Sequence, residues 1–319
     1  MIPVVLAGIF ASLATPAGTA QAPTLTRFTF TEYHMGVDAR IVVYAPSQTV
    51  AEKACAAGFE RMAALDTIMS DYRKNSELMQ LCAKAYDRPV KVSPELFKVL
   101  QVSAEFSSQS GGMFDITVGP VVQLWRRARK THILPTDAEI QTARKLVGWQ
   151  KVKLDARHQT VWLAMPGMRL DLGAIGKGFA DDEVQTVLKR YGIRSALVQM
   201  GGDIVVSDPP PNTDGWKVEV LNDGPGPGAS EISVSNCAIS TSGDLEQHVD
   251  VGGIRYSHVV NPITGYALKN SAQATVICRT GLISDPLSTA LTLLNSEERQ
   301  RILKHYPGTK LTIRATHPD

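Results

Sequence analysis

The sequence predicts an α/β chain, with α and β elements intermixed, folded as one globular unit with mixed sheets and flanking helices. Three observations carry this. In the stretch from Arg169 to Val206, Leu170 and Leu172 alternate with Arg169 and Asp171, after which Gly173, Ala174, Gly176 and Gly178 leave almost no side-chain bulk. An amphipathic run then begins at Phe179 with Ala180, Val184, Val187 and Leu188 on one face; it stops at Gly192 and gives way to an apolar run from Ala196 to Met200. That order reads as strand, bare loop, helix and strand. Second, FTFTEY and ARIVVYA alternate around His34-Met35-Gly36, as two strands of a sheet with one covered face do. Third, the Pro- and Gly-rich segments SDPPPNTDG and NDGPGPG flank the strand-like WKVEVL, so they read as loop insertions rather than domain linkers.

Composition narrows the classes. A chain of 319 residues can bury a substantial core unaided. Net charge is +2 and the charged residues are scattered, so no basic stripe marks nucleic acid as the partner. Residues 1–22 carry no charged side chain, run apolar and end in small residues. They read as a signal peptide, although the region before the apolar run lacks Lys and Arg. The remaining domain spans 23–319. Cys55, Cys82, Cys237 and Cys278 are far apart without a CxxC pair, which argues against zinc; buried thiols are expected of a chain this large.

The other elements follow in order. A helix is expected from about Thr49 to Met69, with Ser76 and Ser93 capping two more, the latter stopped by Gly111-Gly112. MFDITVGPVVQLWRRA is apolar around one acid, Asp115, which either caps a turn or addresses a ligand; the residues alone favour the turn. Pro135-Thr136-Asp137 opens a short helix, and KVKLDARHQTVWLA reads as a hairpin with Asp155 to His158 at its tip. Ala238 to Asp244 is a strand entering a hydroxyl-rich turn, and Tyr256 to Gly265 places His258 ahead of a Pro-x-Thr-Gly turn. Gln273 to Cys278 is a strand, followed by a helix that Ser284 is expected to cap, with Asp285 and Pro286 in its first turn.

Two features carry candidate chemistry. Bare residues at a strand-to-helix turn let a phosphate approach the backbone, where helix N–H groups face an anion; a tight packing turn is the other explanation. The spacing around Lys177 is not that of an ATP-binding P-loop. Asp285 and Thr289 stand four apart, one above the other on a helix face. Such an oxygen pair suits Mg²⁺, but the spacing alone favours an acid at a helix N-terminus beside a back-bonded threonine. His258 has no Ser-His-Asp setting around it.

Taken together and in order, His34-Met35-Gly36, S-x-Y-x-x-x-S at Ser70 to Ser76, GGMFDITVGPVVQLW, LDLGAIGKGFADD, GGDIVV, STSGD, HVVNPITG and SDPLSTAL resemble the motifs of the ApbE family, the FAD:protein FMN transferases. The resemblance runs from about Phe28 to Tyr306. It implies one α/β unit that binds FAD and Mg²⁺ and moves FMN to a Thr or Ser hydroxyl of a partner redox protein, releasing AMP. It further implies an exported, periplasmic protein acting on membrane-associated acceptors, which suits the leader. Motif by motif, the metal would be held by the Ala174 carbonyl, Asp285 and Thr289. The flavin nucleotide site would draw on Met35, Tyr72, Met113, Phe114, Asp115, Asp171, Lys177 and Val259, with His258 as catalytic base. Val37 stands where the family has Thr, Asn261 where Asp commonly precedes Pro, and Ala174 and Gly176 where Gly and Ala are commoner. Two other activities fit the same residues: a Mg²⁺-dependent FAD pyrophosphatase giving FMN and AMP, and a periplasmic FAD-binding protein without catalysis.

Overall fold

The computed structural model describes residues 24–221, 229–243, 248–269 and 272–315. The leader, NDGPGPG and Asp244 lie outside them. The chain opens with β1 (Thr26–His34) and β2 (Val37–Ala45), joined by a two-residue turn. Both turn residues, Met35 at φ 49° and Gly36 at φ 86°, take positive φ, the mirror-image turn whose twist matches that of the strands it joins. Helix α1 (Gln48–Met69), capped by Ser47, and α2 (Glu77–Lys84), capped by Ser76, follow. After β3 (Val90–Lys91), α3 (Pro94–Gln109) is capped by Ser93. The apolar segment beyond Gly112 forms a 3-10 turn and α4 (Gly119–Thr131), and Thr136 opens α5 (Asp137–Arg144) with a capping box. Strands β4 (Val152–Asp155) and β5 (Thr160–Leu163) make the expected hairpin.

The second half contains α6 (Gly176–Arg190), β6 (Ala196–Met200), β7 (Asp203–Val206), β8 (Trp216–Leu221), β9 (Ala229–Val234), β10 (Cys237–Ser242), β11 (His248–Val251), β12 (Ile254–Val260), β13 (Ala267–Lys269) and β14 (Ala272–Cys278). It ends in α7 (Gly281–Leu293), α8 (Ser296–Leu303) and β15 (Lys310–Ala315). A seven-stranded sheet runs β1-β2-β6-β7-β10-β14-β15, and smaller sheets form from β11-β12-β13, β3-β5-β4 and β8-β9. The fold is α/β with several sheets, as expected. Among the described residues every ladder is antiparallel, so the sheets are mixed in size rather than in strand direction.

Helices α1, α6 and α7 cover one face of the large sheet, burying Ile41, Val43, Met62, Phe179, Val184 and Leu287. The β8-β9 hairpin covers the other face, where Trp216 and Val218 meet Val42, Leu197 and Ile239. A second core joins α4 and α5 to β12, with Trp125 stacked on Tyr256 at 5.5 Å and its indole N–H donating to the Gly265 carbonyl at 2.9 Å. All four cysteines are free thiols.

Three local expectations are corrected. Residues 169–172 form no strand, because their amides bond outside any ladder: Asp171 N–H donates to the Ile116 carbonyl and Leu170 N–H to the Cys82 sulfur. Helix α6 starts at Gly176, not Phe179, since Gly176 and Gly178 are themselves helical while Gly173 stays in the turn before it. Helix α7 starts at Gly281, so Ser284 lies inside it and shares a 2.7 Å hydrogen bond with Ser240. The cap comes from another helix: the Asp182 carboxylate accepts from the Gly281 and Leu282 amides, each at 2.9 Å. Pro286 consequently falls in the second turn rather than the first.

Candidate active site

The sheet, its helices and the α4–β12 lobe enclose a cleft of about 1140 Å³. Its wall includes all of the residues singled out from the sequence: Met35 at the first hairpin, Tyr72 between α1 and α2, Met113, Phe114 and Asp115 ahead of α4, Asp171, Ala174 and Lys177 at the bare turn, His258 and Val259 on β12, and Asp285 and Thr289 on α7. Residues spread over most of the chain thus meet in one space.

The close crossing of α6 and α7 sets the deep end. A Cβ on Gly178 would lie 2.1 Å from the Gly281 carbonyl oxygen and 2.8 Å from Asp285 Cβ, so only glycine fits. Without that side chain, the Gly178 amide donates to Asp285 Oδ2 at 3.1 Å, tying the last long helix to the bare turn. Lys177 Nζ lies 2.8 Å from Asp203 and 4.0 Å from Asp285. Burial favours the neutral lysine, but Asp203 and Asp285 outweigh it and hold Lys177 above the ordinary lysine range. Burial, then the Asp203 carboxylate, push Asp285 up to about 7. On α7, Thr289 shares a 3.0 Å hydrogen bond with Ser242, which also meets Ser288 at 2.8 Å.

The oxygen donors here fit a hard divalent cation. Asp285 and Asp203 are buried beside a single lysine, two carboxyl groups to one cation, and Asp285, Thr289 and the Ala174 carbonyl offer only oxygen. Among the described residues no group of three His, Cys, Asp or Glu side chains is arranged to hold a metal. The set is of the sparse, mixed kind that Mg²⁺ completes with water and substrate phosphate.

Toward the mouth, Arg126 on α4 pairs with Asp71 and, at 2.8 Å, with Asp171, whose other oxygen accepts from the Gly173 amide at 2.8 Å. The Arg126 guanidinium also lies 4.2 Å from the centre of the Tyr72 ring, which is otherwise 74% exposed. Asp115 spends both oxygens on the chain: Oδ1 accepts from the Thr117 amide and hydroxyl, Oδ2 from the Trp149 amide. The turn alternative therefore accounts for that carboxylate in full. Asn261 likewise caps its turn, accepting from the Ile263 and Thr264 amides at 2.9 and 3.0 Å.

Sequence reasoning did not select Asp71, Arg126, Asp181 or Asp203. Asp71, Asp181 and Asp203 sit inside quoted motifs, and that adjacency was the available signal. Arg126 is recognisable only through its partners, which lie 45 and 55 residues away.

The profile of the ApbE family matches residues 35–313. The chain belongs to the ApbE family. Relatives named FAD:protein FMN transferase include one from Treponema pallidum, 31% identical over 76% of this chain and 72% of its own, and one from Vibrio cholerae, 30% identical over 72% and 70%. Among solved structures, the flavin transferase ApbE from Vibrio cholerae superposes with a TM-score of 0.81 at 25% identity, covering 92% of this ApbE-family chain and 95% of that one. An ApbE protein from Thermotoga maritima gives 0.79 at 27% identity over 90% and 94%.

Proposed function

We propose that this protein is an FAD:protein FMN transferase that moves FMN from FAD to a Thr or Ser hydroxyl of a partner redox protein in a Mg²⁺-dependent reaction. The observation that carries the reading is the Gly178 amide on Asp285, which brings the carboxylate of α7 to the bare turn where a diphosphate can approach backbone N–H groups. The acceptor oxygen bonds to the FMN phosphorus, the bond from that phosphorus to the bridging oxygen breaks, and AMP leaves.

The chain positions these groups and manages charge, as phosphoryl transfer requires. Asp285, Thr289 and the Ala174 carbonyl would hold Mg²⁺, which when bound offsets the charge of the diphosphate. Lys177, paired with Asp203, adds a fixed positive charge beside Asp285. His258, on β12 in the wall of the cleft, takes the proton of the incoming hydroxyl. Met35, Tyr72, Met113, Phe114 and Val259 supply the apolar and aromatic contacts that seat the flavin. The leader-like residues 1–22 support export, with a membrane-associated acceptor outside the cytoplasm.

The test is incubation of the protein with FAD, Mg²⁺ and candidate acceptors. Wild type gives a fluorescent band that survives denaturation, and Asp285→Ala loses it, by at least about 100-fold, while keeping its melting temperature. A band retained by Asp285→Ala at saturating Mg²⁺ overturns the reading. Free FMN without an acceptor would mark a pyrophosphatase, and cell fractionation locates chain and labelled acceptor.

A further inference from the structure

Four Lys or Arg side chains line the cleft, and three of them have an acid partner. Lys177 meets Asp203 at 2.8 Å, Arg73 meets Asp66 at 2.9 Å, and Arg126 pairs with Asp71 and Asp171. Arg129 is half-buried on the same wall and has no hydrogen bond or ion pair among the described residues. It follows Arg126 by three positions on α4, about 4.5 Å further along the axis. The charged or ionisable groups near it are Tyr72, Arg126 and Asp171, and Asp171 is already engaged by Arg126 and the Gly173 amide. Burial pulls the Arg129 pKa down, and the nearby Tyr72 and Asp171 do not make good that loss, the direction expected of a cation that has lost water without gaining a direct partner.

A half-buried guanidinium without a counter-ion, facing a cleft, is a place for an anion from outside. The charges of the proposed reaction leave room for one. A divalent ion would offset the roughly two negative charges of the diphosphate, and Lys177 offsets one of Asp203 and Asp285, which leaves one negative charge unmatched. Arg126 cannot supply the match, because two carboxylates already share it.

We propose that Arg129 is an anion-binding residue that holds a phosphate oxygen of the dinucleotide and of the nucleoside monophosphate product. The proposal rests on the transferase reading of the same cleft. Its ligand class is a nucleotide phosphate; the rival occupant, an acidic side chain of the acceptor protein, is separated from it by the test.

The full chain, with Mg²⁺, is titrated with AMP, with FAD and with riboflavin, which lacks phosphate. In Arg129→Gln, AMP and FAD bind about tenfold more weakly or worse, riboflavin binds as before, and Arg129→Lys recovers part of the loss. Wild-type AMP binding also weakens more steeply with salt than that of Arg129→Gln. A melting temperature for Arg129→Gln at or above wild type separates lost binding from lost fold, since the change removes an unpaired cation. Unchanged AMP and FAD affinities in Arg129→Gln overturn the assignment. So does a rise confined to the KM for the acceptor, which would give Arg129 to the partner protein. If wild type binds neither FAD nor AMP, the transferase reading itself fails.

Discussion

Asp181, one turn into α6, is 0% exposed and neither of its carboxyl oxygens has a hydrogen-bond partner among the described residues. Burial, followed by the Asp203 and Asp182 carboxylates, raises its pKa well above the ordinary range, so the folded protein holds this proton more tightly than the unfolded chain does. The unfolded chain releases that proton once pH passes the usual aspartate value. Folding stability contributed through this group therefore falls as pH rises, from about pH 4 up to the folded pKa. Asp181→Asn, which has the same shape and does not titrate, is expected to melt higher than wild type at pH 8, with the gap shrinking toward pH 5. Melting curves across that range check it, and a variant less stable at pH 8 would mean the carboxyl has a stabilising partner after all. At this scale the sequence offered residue identity without environment. Asp115 and Asp285 are each an acid among small or apolar neighbours, and both line the cleft, yet one carboxylate is spent on its own turn and the other reaches across to the bare turn at Gly178.

At the scale of elements, the site depends on α6 and α7 touching backbone to backbone. Glycine within a helix costs about 0.5–1 kcal/mol relative to alanine, so Gly178 and Gly281 are retained against propensity for the approach they permit. Gly178→Ala puts a methyl group against the Gly281 carbonyl and Asp285. It is expected to destabilise the fold by about 1–3 kcal/mol and to abolish flavin transfer by displacing the α7 carboxylate. Denaturant titration and the acceptor-labelling assay measure the two effects, and full transfer by a stable Gly178→Ala chain would show that the crossing is incidental. The bare run from Gly173 to Gly178 was legible in the sequence as a feature needing explanation. That its purpose included a second helix was not legible, because the other glycine lies 103 positions further along.

For the whole molecule, the cleft exists because two cores face each other across it. One is the large sheet with α1, α6 and α7, carrying the bare turn and Asp285; the other is α4, α5 and β12, carrying His258. Trp125 ties the second together, stacking on Tyr256 of β12 and bonding the turn beyond it. Trp125→Ala is expected to cost about 3–5 kcal/mol and, in chains that remain folded at low temperature, to slow transfer more than it weakens FAD binding. Binding titration and labelling rates on one preparation separate the two, and a parallel loss of both would place the nucleotide mainly on this lobe. Among the described residues no helix is long and apolar enough to cross a membrane.

The sequence by itself determined the α/β class, the helix caps at Ser76 and Ser93, the short helix opened at Pro135-Thr136-Asp137, the first hairpin, and the candidate residues of the cleft, because each rests on local periodicity or on motifs read in order. Only the tertiary structure decided that Asp182 caps α7, that Arg126 is spent on Asp71 and Asp171, and that Arg129 has no ion pair among the described residues. The reason is physical: charge pairing and backbone contact depend on distance in space, and these partners are brought together by the packing of helices whose spacing along the chain carries no trace of it.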